Sequence, residues 1–541
     1  MKKDICIQND EISVFEYLKN NNLSDKVLAA KVNNKIVEQD YMLKSGDKLS
    51  PLDISTDEGY LIYKETLILV LIDAAQRLFG ADPLIIRQSV NKSTYFELST
   101  FVKDEENTAL MLKNKMKEII DEDKAFIQLE ADKATAAQLF RESGNEKRAN
   151  DVLQLPAEKI KLCKVGNNYH ITYQQASYSV KCVSNFDIMP YEKGYLLRYP
   201  TNYSADKIPP VSSSRKIHRA ITDYRDWITT VGVSDIFALN EIIRNGSAAD
   251  IINLSEGLQE KSISSIADKI LNQPDIRIIL IAGPSSSGKT TFANRLCLHL
   301  RINHLSPVVI SLDDYYVSED KMPLDKYGEP DYEHVESIDY KLFNTHLSRL
   351  AAGEEVTLPR FNFSTCQPDK GRTLRLGEGQ IVIVEGIHAL NELLTSKVAK
   401  KNKYKIYLSA LTSLCLDEYN AFSPTDNRLL RRIVRDAAYR RTTAEQTLSL
   451  WKNVRKGELK YIFPFESEAD EVFNSSLVYE LAVLKEPATR LLRTIEKSSV
   501  HFSRAERLIE LLTYFEPLSS EAIPPTSIIR EFIGGSTITG M

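Results

Sequence analysis

At 541 residues the chain exceeds the size at which one hydrophobic core keeps growing, so more than one domain is expected. Its 43% hydrophobic, 26% charged and 9% aromatic content excludes disordered and fibrous classes, and a net charge of -5 gives no reason to expect strong nonspecific binding to nucleic acid. The cysteines (Cys6, Cys163, Cys182, Cys297, Cys366, Cys415) contain no C-x-x-C pair, which argues against a zinc ribbon or a redox dithiol and for reduced thiols. MKKDICIQND carries no apolar stretch of the secretory kind. The longest apolar run, residues 67–72, stops at Asp73, well short of the roughly 20 residues of a membrane span. A soluble, cytoplasmic protein with no membrane partner is expected.

In chain order, the first sixty residues read as short strands (27–32, 36–37, and around Leu49) separated by Asn33-Asn34 and Ser45-Gly46-Asp47 turns, a small β-rich unit. Apolar residues at helical spacing over 65–79 predict a helix stopped by Gly80. Up to about residue 225, strand-like runs at 125–129, 170–173 and 195–199 and a helical stretch at 134–148 predict an α+β domain. Residues 235–272 read as mainly helical. From 276 the pattern alternates: strand 276–282, a glycine loop, helix, strand 308–312, helix 340–350, strand 381–384, helix, strand 404–408. Such alternation predicts an α/β fold with a parallel sheet flanked by helices and its binding edge at the strand carboxyl ends. Helical stretches follow 485, and the tail PPTSIIREFIGGSTITGM, with its Gly-Gly-Ser stretch, reads as an ordered cap or a flexible terminus. The expected domains are 1–60, 61–225, a helical linker 226–270, 271–485, and a helical extension 486–541.

The sharpest motif is Gly283-Pro284-Ser285-Ser286-Ser287-Gly288-Lys289-Thr290, followed by Thr291, which matches G-x-x-x-x-G-K-[ST] between a strand and a helix. Glycines let backbone N–H groups turn inward on phosphate oxygens, the helix start adds a positive dipole, and Lys289 adds a full charge at the β and γ positions. Thr290 is the expected Mg²⁺ ligand. An accidental glycine turn is the bland alternative, and the flanking strand and helix weigh against it.

A phosphate loop implies a nucleotide without implying phosphoryl transfer, so the residues around it matter. Asp313, in Ser311-Leu312-Asp313-Asp314, follows a strand and can accept a hydroxyl proton or help hold Mg²⁺; a solvated turn is the alternative. Glu385 ends the apolar run 381–384, where a carboxylate reaches a metal or its water shell. In DNRLLRRIVRDAAYRR, Leu429, Leu430, Ile433 and Val434 mark a buried face. Some of the arginines read as a solvated or salt-bridged surface, and Arg435, Arg440 and Arg441 are the candidates to cover a transferring phosphoryl.

With these residues assembled, 276–485 resembles the uridine kinase and phosphoribulokinase family: GPSSSGKTT, SLDDYY, YEHVESID, LPRFNF and IVEGIHAL occur in order, ahead of the arginine-rich helix. The resemblance implies ATP as phosphoryl donor with Mg²⁺, Asp313 as catalytic base, Glu385 as the matching VEG glutamate, and the arginine helix as a lid. It implies a nucleoside acceptor seated by Tyr316, Tyr332, Glu333, Phe361 and Phe363, with core packing as the alternative for these aromatics. Cys366 stands where uridine kinases carry the histidine that contacts the pyrimidine, and a thiol cannot make an imidazole's hydrogen bonds, so uridine itself does not carry over. A sugar phosphate or other small alcohol is the alternative acceptor. Family members are often oligomeric, which gives a homo-oligomer as the expectation.

Residues 22–58 resemble a TGS module, and 59 to about 205 resemble the second added domain of threonyl-tRNA synthetases. There an H-x-x-x-H pair would fall at Glu65 and Leu69, so the editing histidines are absent. The expectation for this half is a vestigial or regulatory binding domain, with an RNA-binding module serving a regulatory NTPase as the alternative. A TGS-bearing GTPase would need N-K-x-D, and Asn91-Lys92-Ser93-Thr94 lacks the aspartate.

Overall fold

The computed structural model describes residues 4–538 apart from 8–11, 24–25, 81–82, 91, 101–102, 212–214, 325–327 and 363–364. The chain opens on a four-stranded antiparallel sheet in the order Ile5–Cys6, Lys48–Leu52, Ala29–Val32, Lys35–Val37. The helix expected from residue 65 starts two turns earlier and runs Asp57–Phe79. Thr56 caps it by accepting the Gly59 N–H, Asp57 and Glu58 complement the dipole, and Gly80 (φ +92°) ends it. The single helix expected at 134–148 is two, Lys133–Glu142 and Glu146–Leu153. Gly144 (φ +79°) turns the chain between them, and Asn145 caps the second through the Arg148 N–H.

The carboxyl half is built on a five-stranded, wholly parallel sheet in the order Ser306–Ser311, Gln380–Glu385, Ile278–Ala282, Lys403–Ser409, Glu471–Asn474. Both faces are covered, which is why its strands read as unbroken apolar runs. Ile279, Ile281, Ile383, Ile406 and Leu408 face the helices Ala248–Leu271, Lys289–Ile302, Pro424–Tyr439 and Glu480–Leu492. Ile278, Leu280, Val382, Val384 and Tyr407 face Tyr340–Ala351.

Two local expectations are corrected. The helix expected between the strands at 381–384 and 404–408 is absent; only short 3₁₀ turns, Glu392–Leu394 and Lys400–Asn402, occur there. Asn391 takes the Leu393 N–H on its side chain, a local bond that competes with helix propagation. The LPRFNF segment, given no element from sequence, forms an antiparallel hairpin of Val356–Asn362 with Gln367–Leu374. Among the described residues no helix is long and apolar enough to cross a membrane.

Candidate active site

The loop 283–288 leaves the central strand and enters the helix Lys289–Ile302. Gly288 sits at φ +91°, ψ +26°, a left-handed conformation that glycine adopts without a Cβ clash. At Gly283 a Cβ would lie 1.9 Å from the Leu408 carbonyl oxygen, so no side chain fits against the neighbouring strand. The Lys289 ammonium donates back to the carbonyls of Gly283 (3.0 Å) and Pro284 (3.2 Å). Burial and Arg435 pull its pKa down, while Glu385, Asp313 and Glu531 hold it up. The Ser286 and Ser287 hydroxyls are buried without a hydrogen-bond partner among the described residues, and Thr290 is exposed in the first helical turn. Orphaned hydroxyl donors at the start of a helix, whose first-turn N–H groups have no acceptor within the helix, fit the oxygens of a phosphate chain.

Parallel pairing brings the two carboxylates together. Ser311 and Glu385 are register partners on adjacent strand ends, and the Ser311 hydroxyl donates to Glu385 Oε1 at 2.6 Å. Asp313 follows two residues later in the 3₁₀ turn Leu312–Tyr315, half-buried. Burial pushes the Glu385 carboxyl up to about 7, and the Asp313 charge adds to the rise. A buried acid with a second carboxylate close enough to raise its pKa fits a hard divalent cation, which would relieve their repulsion. Among the described residues no group of three or more His, Cys, Asp or Glu could hold a metal alone. That suits Mg²⁺, which takes one or two carboxylates and completes its shell with waters and phosphates.

The arginine helix Pro424–Tyr439 lies against the loop, and the arginines that bond it fall outside the expected set of Arg435, Arg440 and Arg441. Arg428 donates to the Ser285 carbonyl (3.0 Å) and is paired with the buried Glu458; Arg432 donates to the Ser285 hydroxyl (2.9 Å). Of the arginines expected to matter, Arg435 is ion-paired with Asp436 at 2.8 Å and Arg440 lies 3.7 Å from the same carboxylate. Arg441 is exposed with φ +54°. The i, i+4 spacing of 428 and 432 was the available signal that these two share a face.

Among the residues expected to seat an acceptor, Tyr316 is the hub. Its ring lies 5.4 Å from Phe361 and 6.0 Å from Tyr332, and its hydroxyl donates to the Tyr332 carbonyl at 3.1 Å. Tyr332 donates to Glu319 at 3.2 Å and lies 3.5 Å from the Cys366 sulfur. Burial raises the Glu333 carboxyl to about 8, with Arg432 and Lys289 opposing the rise. Phe363 lies outside the described residues. His388, just after Glu385 and unmarked from sequence, is buried with its ring 5.9 Å from Tyr461; burial lowers its pKa to about 4, so it is neutral. A large cavity, about 2320 Å³, runs between the amino-terminal half and the sheet domain, lined among others by Lys64, Glu65, Tyr173, Asp426 and Arg507.

Residues 278–481 match the model of the phosphoribulokinase / uridine kinase family. The uridine kinase of Tolumonas auensis is 31% identical over 202 residues, covering 36% of this chain and 86% of the relative. That of Ureaplasma parvum serovar 3 is 28% identical over 176 residues, covering 32% and 76%. Among solved structures, "a possible uridine kinase" from Bacillus stearothermophilus aligns at 22% identity over 39% of this chain and 97% of that one, with a TM-score of 0.27. The ordered motifs, the parallel sheet with its phosphate loop and the relatedness agree: the chain is an ATP-dependent kinase and belongs to the phosphoribulokinase / uridine kinase family.

Proposed function

We propose that the chain transfers the γ-phosphoryl group of ATP to the hydroxyl of a nucleoside, the 5′-hydroxyl foremost. The observation that carries this reading is the meeting of two adjacent strand ends at the phosphate loop, where Ser311 bonds Glu385, Asp313 follows, and Lys289 feels both carboxylates. Asp313 orients the acceptor hydroxyl and takes its proton. An ordinary aspartate suffices, because the loose transition state is served mainly by alignment and charge neutralisation. Thr290 and Glu385, with Asp313 nearby, would hold Mg²⁺, which when bound would supply charge neutralisation at the phosphate oxygens. Lys289 with Arg435, Arg440 and Arg441 covers the transferring group, and Arg428 and Arg432 brace the loop at Ser285. Tyr316, Tyr332 and Phe361, with Phe363 and Glu333, suit a flat base better than a bare sugar phosphate. The relatives named above are uridine kinases, which supports a nucleoside, while Cys366 beside Tyr332 points away from uridine as the preferred one.

For the amino-terminal half we infer a TGS-like module over 1–60 and a synthetase-like domain over 61–225 without editing chemistry, joined through 226–270 to the kinase domain at 271–485 and the extension 486–541. The small antiparallel sheet at the start supports the first reading. Leu69, at one position of the absent histidine pair, is core, which supports the loss of editing.

The test is Mg²⁺-dependent ADP release from ATP with a panel of nucleosides, ribulose 5-phosphate, or no acceptor. One nucleoside should stimulate turnover; Asp313→Asn should lower kcat about 100-fold or more, and Lys289→Ala should lower kcat/KM by a similar factor without shifting the Tm. Full activity in Lys289→Ala, or stimulation by no nucleoside, sinks the assignment.

A further inference from the structure

The first-turn N–H groups of the helix after a phosphate loop have no acceptor within the helix, and nucleotide phosphates come to rest on them. In this chain a carboxylate already stands there. Thr291, in the first turn of Lys289–Ile302, donates its hydroxyl to Glu531 Oε2 at 2.8 Å and its N–H to the same oxygen at 3.4 Å. Glu531 makes no ion pair among the described residues, and its charge is felt at Lys289 and Glu385.

The segment bearing Glu531 lies beyond residue 481, where the family match ends, and it is held firmly. Ile528, Ile529 and Phe532 are fully buried in the core that also holds the sheet. Ile528 packs so closely on Gly288 that a Cβ there would come within 2.6 Å of its Cγ2. Arg431 of the arginine helix lies over the Phe532 ring at 5.0 Å, and Arg530 donates to the carbonyls of Ser520 and Ile523, both at 2.7 Å. The carboxylate is therefore presented to Thr291 by packing on several sides.

We propose that Glu531 sets nucleotide affinity: in the empty site its carboxylate holds the Thr291 donors that an α-phosphate would use, and nucleotide enters by displacing it against its like charge. The proposal rests on the phosphate-loop reading of the site. Glu531 is a specificity residue contributed by the carboxyl-terminal extension, so nucleotide binding and the seating of that extension are coupled. Removing the negative charge while keeping the side chain's shape should strengthen binding of ATP and ADP about three- to tenfold, the scale of one partly solvated like-charge contact. It should also weaken the empty protein slightly, because the carboxylate caps the helix there.

The experiment measures ATP and ADP Kd by calorimetry, and Tm with and without 5 mM ATP (on the order of a saturating concentration), on full-length protein and on Glu531→Gln. The proposal expects a lower Kd for both nucleotides, a lower Tm of the free protein and a larger ATP-induced rise in Tm. A merely structural role would lower both Tm values equally and leave Kd unchanged or higher, and that result overturns the proposal. Should the Gln variant not fold, Glu531→Asp, which draws the charge back by one methylene, must shift Kd in the same direction by a smaller factor; an unchanged or raised Kd there overturns it equally. Lys289→Ala in both backgrounds separates the two readings. If it leaves ATP binding intact, the phosphate-loop reading fails; if it abolishes binding while Glu531→Gln changes nothing, only the Glu531 proposal fails.

Discussion

Glu65 stands in the helix Asp57–Phe79 at the edge of the cavity between the amino-terminal half and the sheet domain, accepting a hydrogen bond from the Thr172 hydroxyl at 2.9 Å. Burial pushes its carboxyl up to about 7, with Asp417 adding to the rise and Thr172 and Lys64 opposing it. Since the folded-state value exceeds the 4.5 of the free side chain, folding favours the protonated acid. That contribution is present in full below about pH 4.5 and is lost as pH rises through 7. Glu65→Gln should therefore match the parent protein in urea unfolding near pH 4.5 and exceed it at pH 8.5 by on the order of 3 kcal/mol. Equal stability at pH 8.5 would mean that the carboxylate ionises in the fold without cost. Nothing at the sequence level marked this position beyond the missing histidine, because burial depends on Thr172, more than a hundred residues away. By contrast, the placement of Asp313 and Glu385 was readable: each follows an apolar run, and parallel pairing of two such runs brings their ends together.

The arginine helix shows what is legible at the level of an element and what is not. Its apolar face was evident in Leu429, Leu430, Ile433 and Val434, all buried, and Ser423 caps it with Pro424 in its first turn. Which arginines meet the phosphate loop depends on how the helix rotates against residues 143 and 147 positions away in sequence. Asp436 is the hinge of that arrangement: it is buried, accepts from Arg432 at 3.1 Å and Arg435 at 2.9 Å, and lies 3.7 Å from Arg440. Replacing it with asparagine leaves crowded guanidinium groups without their counter-charge, a change that costs about 3 kcal/mol when an ion pair is buried. Asp436→Asn should lower the urea midpoint accordingly and raise the KM for ATP several-fold as Arg432 swings from Ser285. A variant with parental stability and KM would show that the arginines are braced by other contacts. The 3₁₀ turns at 392–394 and the hairpin of Val356–Asn362 with Gln367–Leu374 escaped sequence reading for a related reason: each is fixed by bonds to a neighbour, and neither has a period long enough to count.

At the scale of the molecule, the kinase sheet does not own its core. The face bearing Ile279, Ile281, Ile383 and Leu408 packs with Tyr224 and Ile228 from Arg215–Thr230, Ile252, Ile263 and Ile266 from Ala248–Leu271, and Leu508, Leu512, Ile528 and Phe532 from the carboxyl-terminal extension. Each such side chain contributes roughly 1.5–3 kcal/mol on burial, so removing these groups takes away more than the roughly 5–15 kcal/mol by which a domain is stable. Polar links run the same way: Arg507 grips Asp426 through two bonds of 2.7 and 2.9 Å, and Asn240 donates to the Tyr514 carbonyl at 2.8 Å. A fragment of residues 271–485, the length that the family motifs suggest, should thus show no cooperative urea transition in Trp451 fluorescence. A fragment of 215–541, which keeps both sets of covering helices, should unfold in a single sharp step. It should still be less stable than the full chain, because it loses Lys161 from Glu510 (2.7 Å) and Ile171 from Asn420 (2.9 Å) at the boundary with the amino-terminal half. Cooperative unfolding of 271–485 alone would show that the flanking helices are passengers on a self-sufficient kinase, and would separate the carboxyl-terminal segment at the phosphate loop from the stability of the sheet.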